Sequence, residues 1–185
     1  CVGVRDRAVL LLGESGAGKS TATLQCLIAG LGALAEDVVF VEPRRLTVSG
    51  VPNYLHLRLE TPRLLAPALA RRIRRAPVIE RPHSGVRKYQ VDLRGTASRK
   101  LRLPARLVAV VMLSRKTSHG ESQLQVLPAR ELLRALDRDQ PYARSRPRWR
   151  ALRASLRRLP RYRLERGAAA ADTATAIASL LARPA

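Results

Sequence analysis

The amino-acid sequence predicts an α/β fold in which a mixed β-sheet is flanked by helices. The first observation is an apolar run at 8–12, followed directly by a glycine-rich loop and by helical spacing over 20–31. This order is typical of phosphate-binding units. The second is that strand signals outnumber helical ones, which favours a mixed sheet over a regular βαβ series. The third is the length of 185 residues, which suits a single domain over 1–185.

The composition indicates a globular protein with an aliphatic core. Hydrophobic residues make up 46% of the chain and aromatic residues only 3%, so the core must consist of leucine, valine and alanine. The two cysteines, Cys1 and Cys26, are too few for a disulfide framework. We see no apolar run of the ~20 residues that a membrane span needs, and no signal peptide ahead of the glycine loop. We therefore expect a cytoplasmic protein without a membrane partner.

The chain is strongly basic. Its formal net charge is +21, and all but four of its 35 lysine and arginine residues are arginine. Such a charge attracts polyanions, so we expect an acidic peptide or protein as partner, with nucleic acid as a less favoured one. Arginine-rich composition also arises as a genomic habit, which leaves open how much of the charge serves binding. The sequence is compatible with a homo-oligomer.

Residues 13–20 match the phosphate-binding pattern G-x-x-x-x-G-K-[ST] in full. Glycines at this spacing allow successive backbone N–H groups to point at a phosphate. The Lys19 ammonium can reach the β- and γ-phosphates of a nucleotide such as ATP, and the Ser20 hydroxyl can bind Mg²⁺. The residues that we predict to bind the nucleotide are Gly13, Ser15, Gly16, Ala17, Gly18, Lys19, Ser20 and Thr21.

Strand signals dominate the middle of the chain. Thr61 and Pro62 predict the start of a helix over 63–75, with Thr61 as its cap. Proline and glycine predict a loop over 76–85, and the segment 95–100 is polar. Apolar or alternating runs predict strands at 38–41, 46–48, 54–59 and 87–93.

The second half of the chain begins with its clearest strand, the apolar run 106–113. Pro160 followed by alternating arginine predicts an edge strand over 160–164. We expect the basic segment 140–185 to contain this strand and a terminal helix that packs on the domain. The remaining predictions are a strand at 124–127, helices at 128–138 and 172–181, and an amphipathic segment at 151–159.

Two acidic residues, Glu36 and Asp37, follow Lys19 by 17 and 18 positions. Together with the glycine loop, they resemble the C-terminal kinase domain of bacterial HPr kinase/phosphorylase, in which a hydrophobic-Ala-Asp-Asp segment has the same spacing. Here Leu34-Ala35-Glu36-Asp37 occupies that place. The resemblance implies a P-loop, PEP-carboxykinase-like fold and the transfer of phosphate from ATP, with Mg²⁺, to a protein serine.

Carried over to this chain, the resemblance implies catalytic roles for Asp37 and Lys19. Asp37 would be the general base that takes the proton from the attacking hydroxyl. Ser20 and Glu36 would lie at the metal ion, and Glu36 is one methylene longer than the aspartate of the family. A carboxylate near Mg²⁺ also suits phosphoryl transfer on physical grounds, since that reaction needs positioned charge and an oriented nucleophile.

Looser similarity extends over 51–57, 106–113 and 160–167. These segments look like parts of the smaller kinase homologues found in peptide-modification clusters, some of which phosphorylate the precursor of a lasso peptide. We find no counterpart of the family's phosphorylase loop in the sequence. The resemblance therefore implies a kinase without the reverse activity.

Several other polar residues are weaker candidates. Glu42 ends the run 38–41 like a Walker B acid, but such a residue more often leaves the sheet for solvent. His56 lies in an alternating strand, where a structural role is more common than substrate binding. Arg58 and Arg87 could stabilise charge on a transferring phosphoryl group, although so many arginines make any choice among them arbitrary.

Three functions stay open at this point. The first is a Mg-ATP-dependent kinase of a Ser or Thr hydroxyl on a peptide or small protein, including a ribosomal peptide precursor. The second is a small-molecule kinase. The third, of another class, is a P-loop NTPase or a nucleotide-switched nucleic-acid-binding module. An ABC ATPase is disfavoured because the strand at 107–113 lacks a terminal acid.

Overall fold

In the computed structural model, which describes residues 1–81, 85–94, 101–167 and 169–183, a long first strand leads through the glycine loop into a helix. Short 3₁₀ helices lie at Thr61–Leu64 and Pro141–Ala143. The α-helices are α1 (Lys19–Ile28), α2 (Pro67–Arg74), α3 (Ala129–Asp139), α4 (Pro147–Leu156) and α5 (Ala170–Ala182). The strands are β1 (Val2–Leu12), β2 (Gly32–Ala33), β3 (Phe40–Glu42), β4 (Thr47–Ser49), β5 (Tyr54–Arg58), β6 (Val78–Glu80), β7 (Arg87–Asp92), β8 (Leu101–Thr117), β9 (Gln123–Val126) and β10 (Arg161–Arg166).

The strands form two sheets. The main sheet has seven strands, with the order β2-β1-β8-β10-β9 and with the β3–β4 hairpin attached to β8 through β4. β8 runs parallel to both β1 and β10, whereas the pairings of β2, β4 and β9 with this central group are antiparallel. The smaller sheet is antiparallel, with the order β5-β7-β6. The predicted mixed sheet flanked by helices is therefore confirmed.

Helices cover the main sheet on both faces. Because successive side chains of a strand point to opposite faces, Val9 and Leu11 of β1 pack with α1 and α5, whereas Ala8 and Leu10 pack with α3 and α4. The buried side chains of β8 divide between the same two clusters. Burial on both faces explains why these two strands carry nearly continuous apolar runs.

The smaller sheet packs beside the first helix. Leu55 and Leu57 of β5 are fully buried, and they share a cluster with Ile73 of α2 and Leu24 of α1. None of the helices in the part of the chain that the structure describes combines the length and the apolar character needed to span a bilayer. The packing of β5 on α1 brings the end of β5 close to the glycine loop.

The prediction that 160–164 is an edge strand is wrong. β10 lies between β8 and β9, parallel to the first and antiparallel to the second. Pro160 precedes the strand, where its missing N–H removes no bond from the ladder. Leu164 is fully buried, and the Arg163 guanidinium is paired with the Glu131 carboxylate of α3. Paired arginines are thus compatible with an interior strand.

The predicted helix 63–75 is interrupted. Thr61–Leu64 forms a 3₁₀ turn, and α2 begins only at Pro67. A proline in the interior of a helix would clash with the preceding turn, whereas at the first helical position its ring and missing N–H are harmless. Glu60, not Thr61, stands at the N-cap position, and Thr61 is buried.

Other element boundaries also differ from the prediction. The predicted loop 76–85 contains strand β6, which pairs with β7, and its residues 82–84 lie outside the described residues, as does the polar segment 95–100. The predicted strand 38–41 begins only at Phe40. With shifted ends, the structure confirms the strands at 8–12, 46–48, 54–59, 87–93, 106–113 and 124–127 and the helices at 20–31, 128–138 and 172–181. The amphipathic segment 151–159 overlaps the C-terminal half of α4.

Cys26 provides a test of the core packing. Its side chain is fully buried in α1, and burial raises the pKa of the thiol to about 12. A pKa of about 12 in place of 9.0 lowers the thiolate fraction at pH 8 by about three orders of magnitude. We expect a thiol reagent to leave Cys26 unmodified in the native protein and to label it fully in denaturant, as read by peptide mass mapping. Rapid labelling of native protein would contradict this packing.

Candidate active site

The glycine loop joins the end of β1 to the start of α1 in a conformation that glycine alone adopts easily. Gly13, Gly16 and Gly18 have φ values of +145°, +84° and +89°. Gly18 is the N-cap residue of α1, and within the described chain no side chain caps the helix and its first turn carries no acidic residue. The free N–H groups and the positive end of the helix dipole therefore favour an anion at this point.

Lys19 folds back across the glycine loop. Its Nζ donates hydrogen bonds to the carbonyl oxygens of Gly13, at 2.6 Å, and of Glu14, at 3.1 Å. Partial burial lowers the pKa of the ammonium. The Lys19 ammonium therefore lies over the glycine loop. An incoming anion would compete with the two backbone carbonyls for its hydrogen bonds.

Glu36 is fixed from three directions. The Ser20 hydroxyl donates to Oε1 at 2.7 Å, and the backbone N–H of His56 donates to the same oxygen at 2.9 Å. The Nδ1 atom of His56 lies 2.6 Å from Oε2. The Glu36 side chain is only 9% exposed. The sequence therefore placed Glu36 and Ser20 together correctly, and the extra methylene of glutamate lets this carboxylate span Ser20 and His56.

His56 is more closely involved than the sequence indicated. It lies opposite Gln90 in the β5–β7 pair, and the Gln90 Nε2 atom is 3.3 Å from the His56 Nε2 atom. If the amide donates to Nε2, the ring proton resides on Nδ1 and is donated to Glu36. An alternating strand gave no signal for this role, because the contact with Glu36 joins residues twenty positions apart.

Asp37 points into the open cleft next to Glu36. Its side chain is 64% exposed, and Oδ2 lies 3.2 Å from Nη2 of Arg81. The same Arg81 atom lies 3.2 Å from Nδ1 of His56. Ligand atoms of Glu36, Asp37 and His56 all lie within 4.8 Å of one another. One carboxylate of the pair is thus buried and fixed, and the other is accessible.

Asp37 and His56 border a cleft of about 460 Å³ together with the glycine loop. It is lined by the predicted loop residues except Ala17, and by Asp37 and His56. The side chain of Ala17 is instead buried in the core, and its backbone N–H donates to the carbonyl of Glu14, which turns it away from the cleft. The role of Ala17 in binding the nucleotide therefore stays a prediction.

Three cationic side chains complete the cleft: Arg58 at the end of β5, Lys88 of β7 and Arg166 at the end of β10. A Cβ built on Gly16 would lie 2.9 Å from Nη2 of Arg58, and one on Gly18 would lie 2.5 Å from Nη1 of Arg166. Larger residues at these two positions would displace both guanidinium groups. Nε of Arg166 is buried and has no hydrogen-bond partner among the described residues.

The remaining sequence candidates lie elsewhere. Arg87 neighbours Lys88 in β7 and therefore faces the opposite side of the sheet. Glu42 accepts hydrogen bonds from the backbone N–H groups of Arg44 and Arg45, which hold the pKa of its carboxyl below the usual range. Among so many arginines the sequence offered no signal for Arg166, because only the folded chain brings β10 to the loop.

The donor atoms fit a hard divalent cation and a phosphate chain. The Ser20 hydroxyl and the carboxylates of Glu36 and Asp37 are oxygen donors of the kind that Mg²⁺ prefers. The unpaired Nε of Arg166 and the free N–H groups of α1 fit an anion.

No protein-family model, curated protein or solved structure matches this chain. The function must therefore be argued from the chemistry of the cleft itself.

Proposed function

We propose that the protein is a kinase that uses ATP and Mg²⁺ to phosphorylate a Ser or Thr hydroxyl of a peptide or small protein. One observation carries the proposal: the glycine loop at the uncapped N-terminus of α1 and the accessible carboxylate of Asp37 border the same cleft. We further propose a P-loop, PEP-carboxykinase-like fold, which the parallel pairing of β1, β8 and β10 supports.

Backbone N–H groups and cationic side chains of the cleft would bind the phosphates. The backbone N–H groups of the loop and the Lys19 ammonium would bind the β- and γ-phosphates, while Arg58 and Arg166 offset the charge that spreads over the transferring phosphoryl group. A Mg²⁺ ion held by Ser20 and Glu36 would neutralise the phosphate oxygens and orient the γ-phosphate.

Asp37 is suited to the acceptor side of the reaction. Its carboxylate would accept the proton of the substrate hydroxyl as that oxygen forms a bond to the γ-phosphorus and the bond to the ADP oxygen breaks. Nη2 of Arg81 donates a hydrogen bond to Oδ2 of Asp37 at 3.2 Å and holds that carboxylate in place. Because Asp37 is 64% exposed, a hydroxyl on a large acceptor such as a peptide can reach it.

The fate of the γ-phosphate tests the proposal. The protein is incubated with Mg²⁺ and γ-labelled ATP, together with a library of serine-containing peptides, a mixture of small hydroxyl compounds, or single-stranded RNA. We expect the label on a peptide serine or threonine, located by mass spectrometry, and no label with Lys19→Ala protein. Label on a small compound would instead establish the small-molecule kinase. Release of inorganic phosphate that RNA stimulates would establish the switch NTPase.

Glu36→Gln is expected to raise the Mg²⁺ concentration that ATP binding requires. The amide keeps the size of the side chain but removes the charge that faces Ser20 and the cation site. Loss of one ligand or of its immediate support reduces metal affinity about 10- to 100-fold. The measurement is the Mg²⁺ concentration that gives half-maximal ATP binding. Glu42→Gln, which neutralises a carboxylate outside the cleft, is the matched control, and equal Mg²⁺ requirements in the two variants would contradict the assignment.

A further inference from the structure

Exposed apolar side chains surround Asp37 on the side away from the glycine loop. Val38, Phe40 and Val51 are 65%, 64% and 66% exposed. They line a cavity of about 280 Å³ that also contains Asp37 and His56. Single exposed apolar residues need no explanation, but a group of three beside a charged cleft indicates a contact surface.

A larger groove continues from this cavity. It has a volume of about 970 Å³ and lies between the β3–β4 hairpin and helix α4. Phe40 lines both the cavity and the groove. Trp149 and Leu152 line the groove from the α4 side, and the Trp149 indole N–H donates to Oδ1 of Asp137 at 3.1 Å. This hydrogen bond fixes the orientation of the Trp149 side chain that lines the groove.

The groove is also basic. Arg44 of the hairpin and Arg148 of α4 line it, and both are exposed. Glu42 also lines it, but its carboxylate is engaged by the backbone N–H groups of Arg44 and Arg45. With a chain net charge of +21, the groove favours an acidic ligand.

The hairpin also offers backbone groups. Among the described residues β3 pairs only with β4, so its other edge is available. An exposed strand edge can add an extended peptide as a further strand. β3 begins three residues after Asp37, so a peptide on it would extend into the cleft.

We propose that an extended acidic peptide docks along the surface formed by Val38, Phe40, Arg44, Arg148 and Trp149, which we term the docking track. The inference rests on the proposed function and names its substrate class. Phe40 follows Asp37 by three residues, and both residues line the same cavity. The track therefore selects an apolar side chain near the acceptor hydroxyl and acidic residues farther along.

Two fluorescent synthetic peptides test the track without nucleotide. Each carries one serine, a leucine three positions away and four glutamates beyond it, towards the C-terminus in one peptide and the N-terminus in the other. By fluorescence polarisation, we expect at least one to bind, and its lysine-for-glutamate counterpart not to bind. Phe40→Ala should weaken binding about tenfold, as for a central apolar contact. The double change Arg44→Glu with Arg148→Glu should weaken it at least as much.

Matched control variants show whether peptide binding depends on the docking track or on exposed apolar and charged residues in general. Val126→Ala removes an exposed apolar side chain from the edge strand β9, and the double change Arg157→Glu with Arg158→Glu reverses two exposed charges beyond the end of α4. Both should bind the peptide as the wild type does. Thermal unfolding by circular dichroism checks that every variant is folded.

The possible outcomes distinguish a failure of the docking track from a failure of the proposed kinase function. A peptide that binds through the track but accepts no phosphate would retain the track and overturn the kinase. Phosphorylated peptides whose binding ignores the Phe40 and arginine changes would retain the kinase and overturn the track. Absence of peptide binding, or tight binding of a labelled single-stranded RNA that the same variants abolish, would also overturn it.

Discussion

Asp37→Asn is expected to abolish phosphoryl transfer while it leaves ATP binding nearly unchanged. Asparagine has the same shape but cannot accept the proton of the acceptor hydroxyl, and loss of a general base lowers kcat about 10²- to 10⁴-fold. The phosphates would be held by the glycine loop and by Lys19, and Asp37 lies on the opposite, exposed wall. Initial rates of transfer and calorimetric titration with Mg-ATP measure the two effects separately.

Asp92→Asn is the matched control for this change. Like Asp37, Asp92 is an exposed aspartate that is paired with an arginine, here Arg94 at 2.6 Å. It lies at the far end of β7, beyond the residues that border the cleft. We expect Asp92→Asn to transfer phosphate at the wild-type rate. If Asp37→Asn kept that rate as well, Asp37 would not be the base.

Lys19→Ala is expected to weaken ATP binding about 10- to 100-fold and to eliminate measurable transfer. The change removes the ammonium that lies over the loop and contacts the carbonyls of Gly13 and Glu14. A charge-assisted contact to phosphate contributes about 1.5–3 kcal/mol. Because that ammonium would contact the triphosphate and not the nucleoside, the loss should be large for ATP and small for AMP.

Lys88→Ala is the comparison variant for the loss of ATP affinity in Lys19→Ala protein. Lys88 borders the same cleft from β7, opposite Arg58, and does not take part in the loop contacts that Lys19 makes. We expect its loss to weaken ATP binding less than the loss of Lys19 does. ATP affinity of wild-type strength in Lys19→Ala protein would exclude the glycine loop as the phosphate site.

The sequence predicted best what depends on neighbouring residues. The glycine loop was identified because the positive φ values at Gly13, Gly16 and Gly18 demand glycine at a fixed spacing. The runs of β1 and β8 were found because burial on both faces requires continuous apolar residues. Glu36 was singled out by its spacing behind Lys19, and its carboxylate accepts a hydrogen bond from the Ser20 hydroxyl at 2.7 Å.

What depends on distant pairing could not be predicted. The interior position of β10 results from its pairing with β9, and no local signal specifies that partner. His56 acquires its contact with Glu36 only when β5 packs beside α1. Arg166 lies near the end of the chain and reaches the glycine loop only in the folded protein. Because the chain contains so many arginines, the sequence did not distinguish this one from the others.

Calorimetric titration with ATP, ADP and AMP, each with and without Mg²⁺, tests most directly whether the cleft holds a triphosphate together with a cation. We expect that ATP binds most tightly, that Mg²⁺ strengthens the binding of ATP and ADP, and that AMP binds weakly in both conditions. The arrangement of the loop, Lys19, Ser20 and Glu36 is the reason for this order. Equal affinity for the three nucleotides, or ATP binding that Mg²⁺ does not change, would contradict the account.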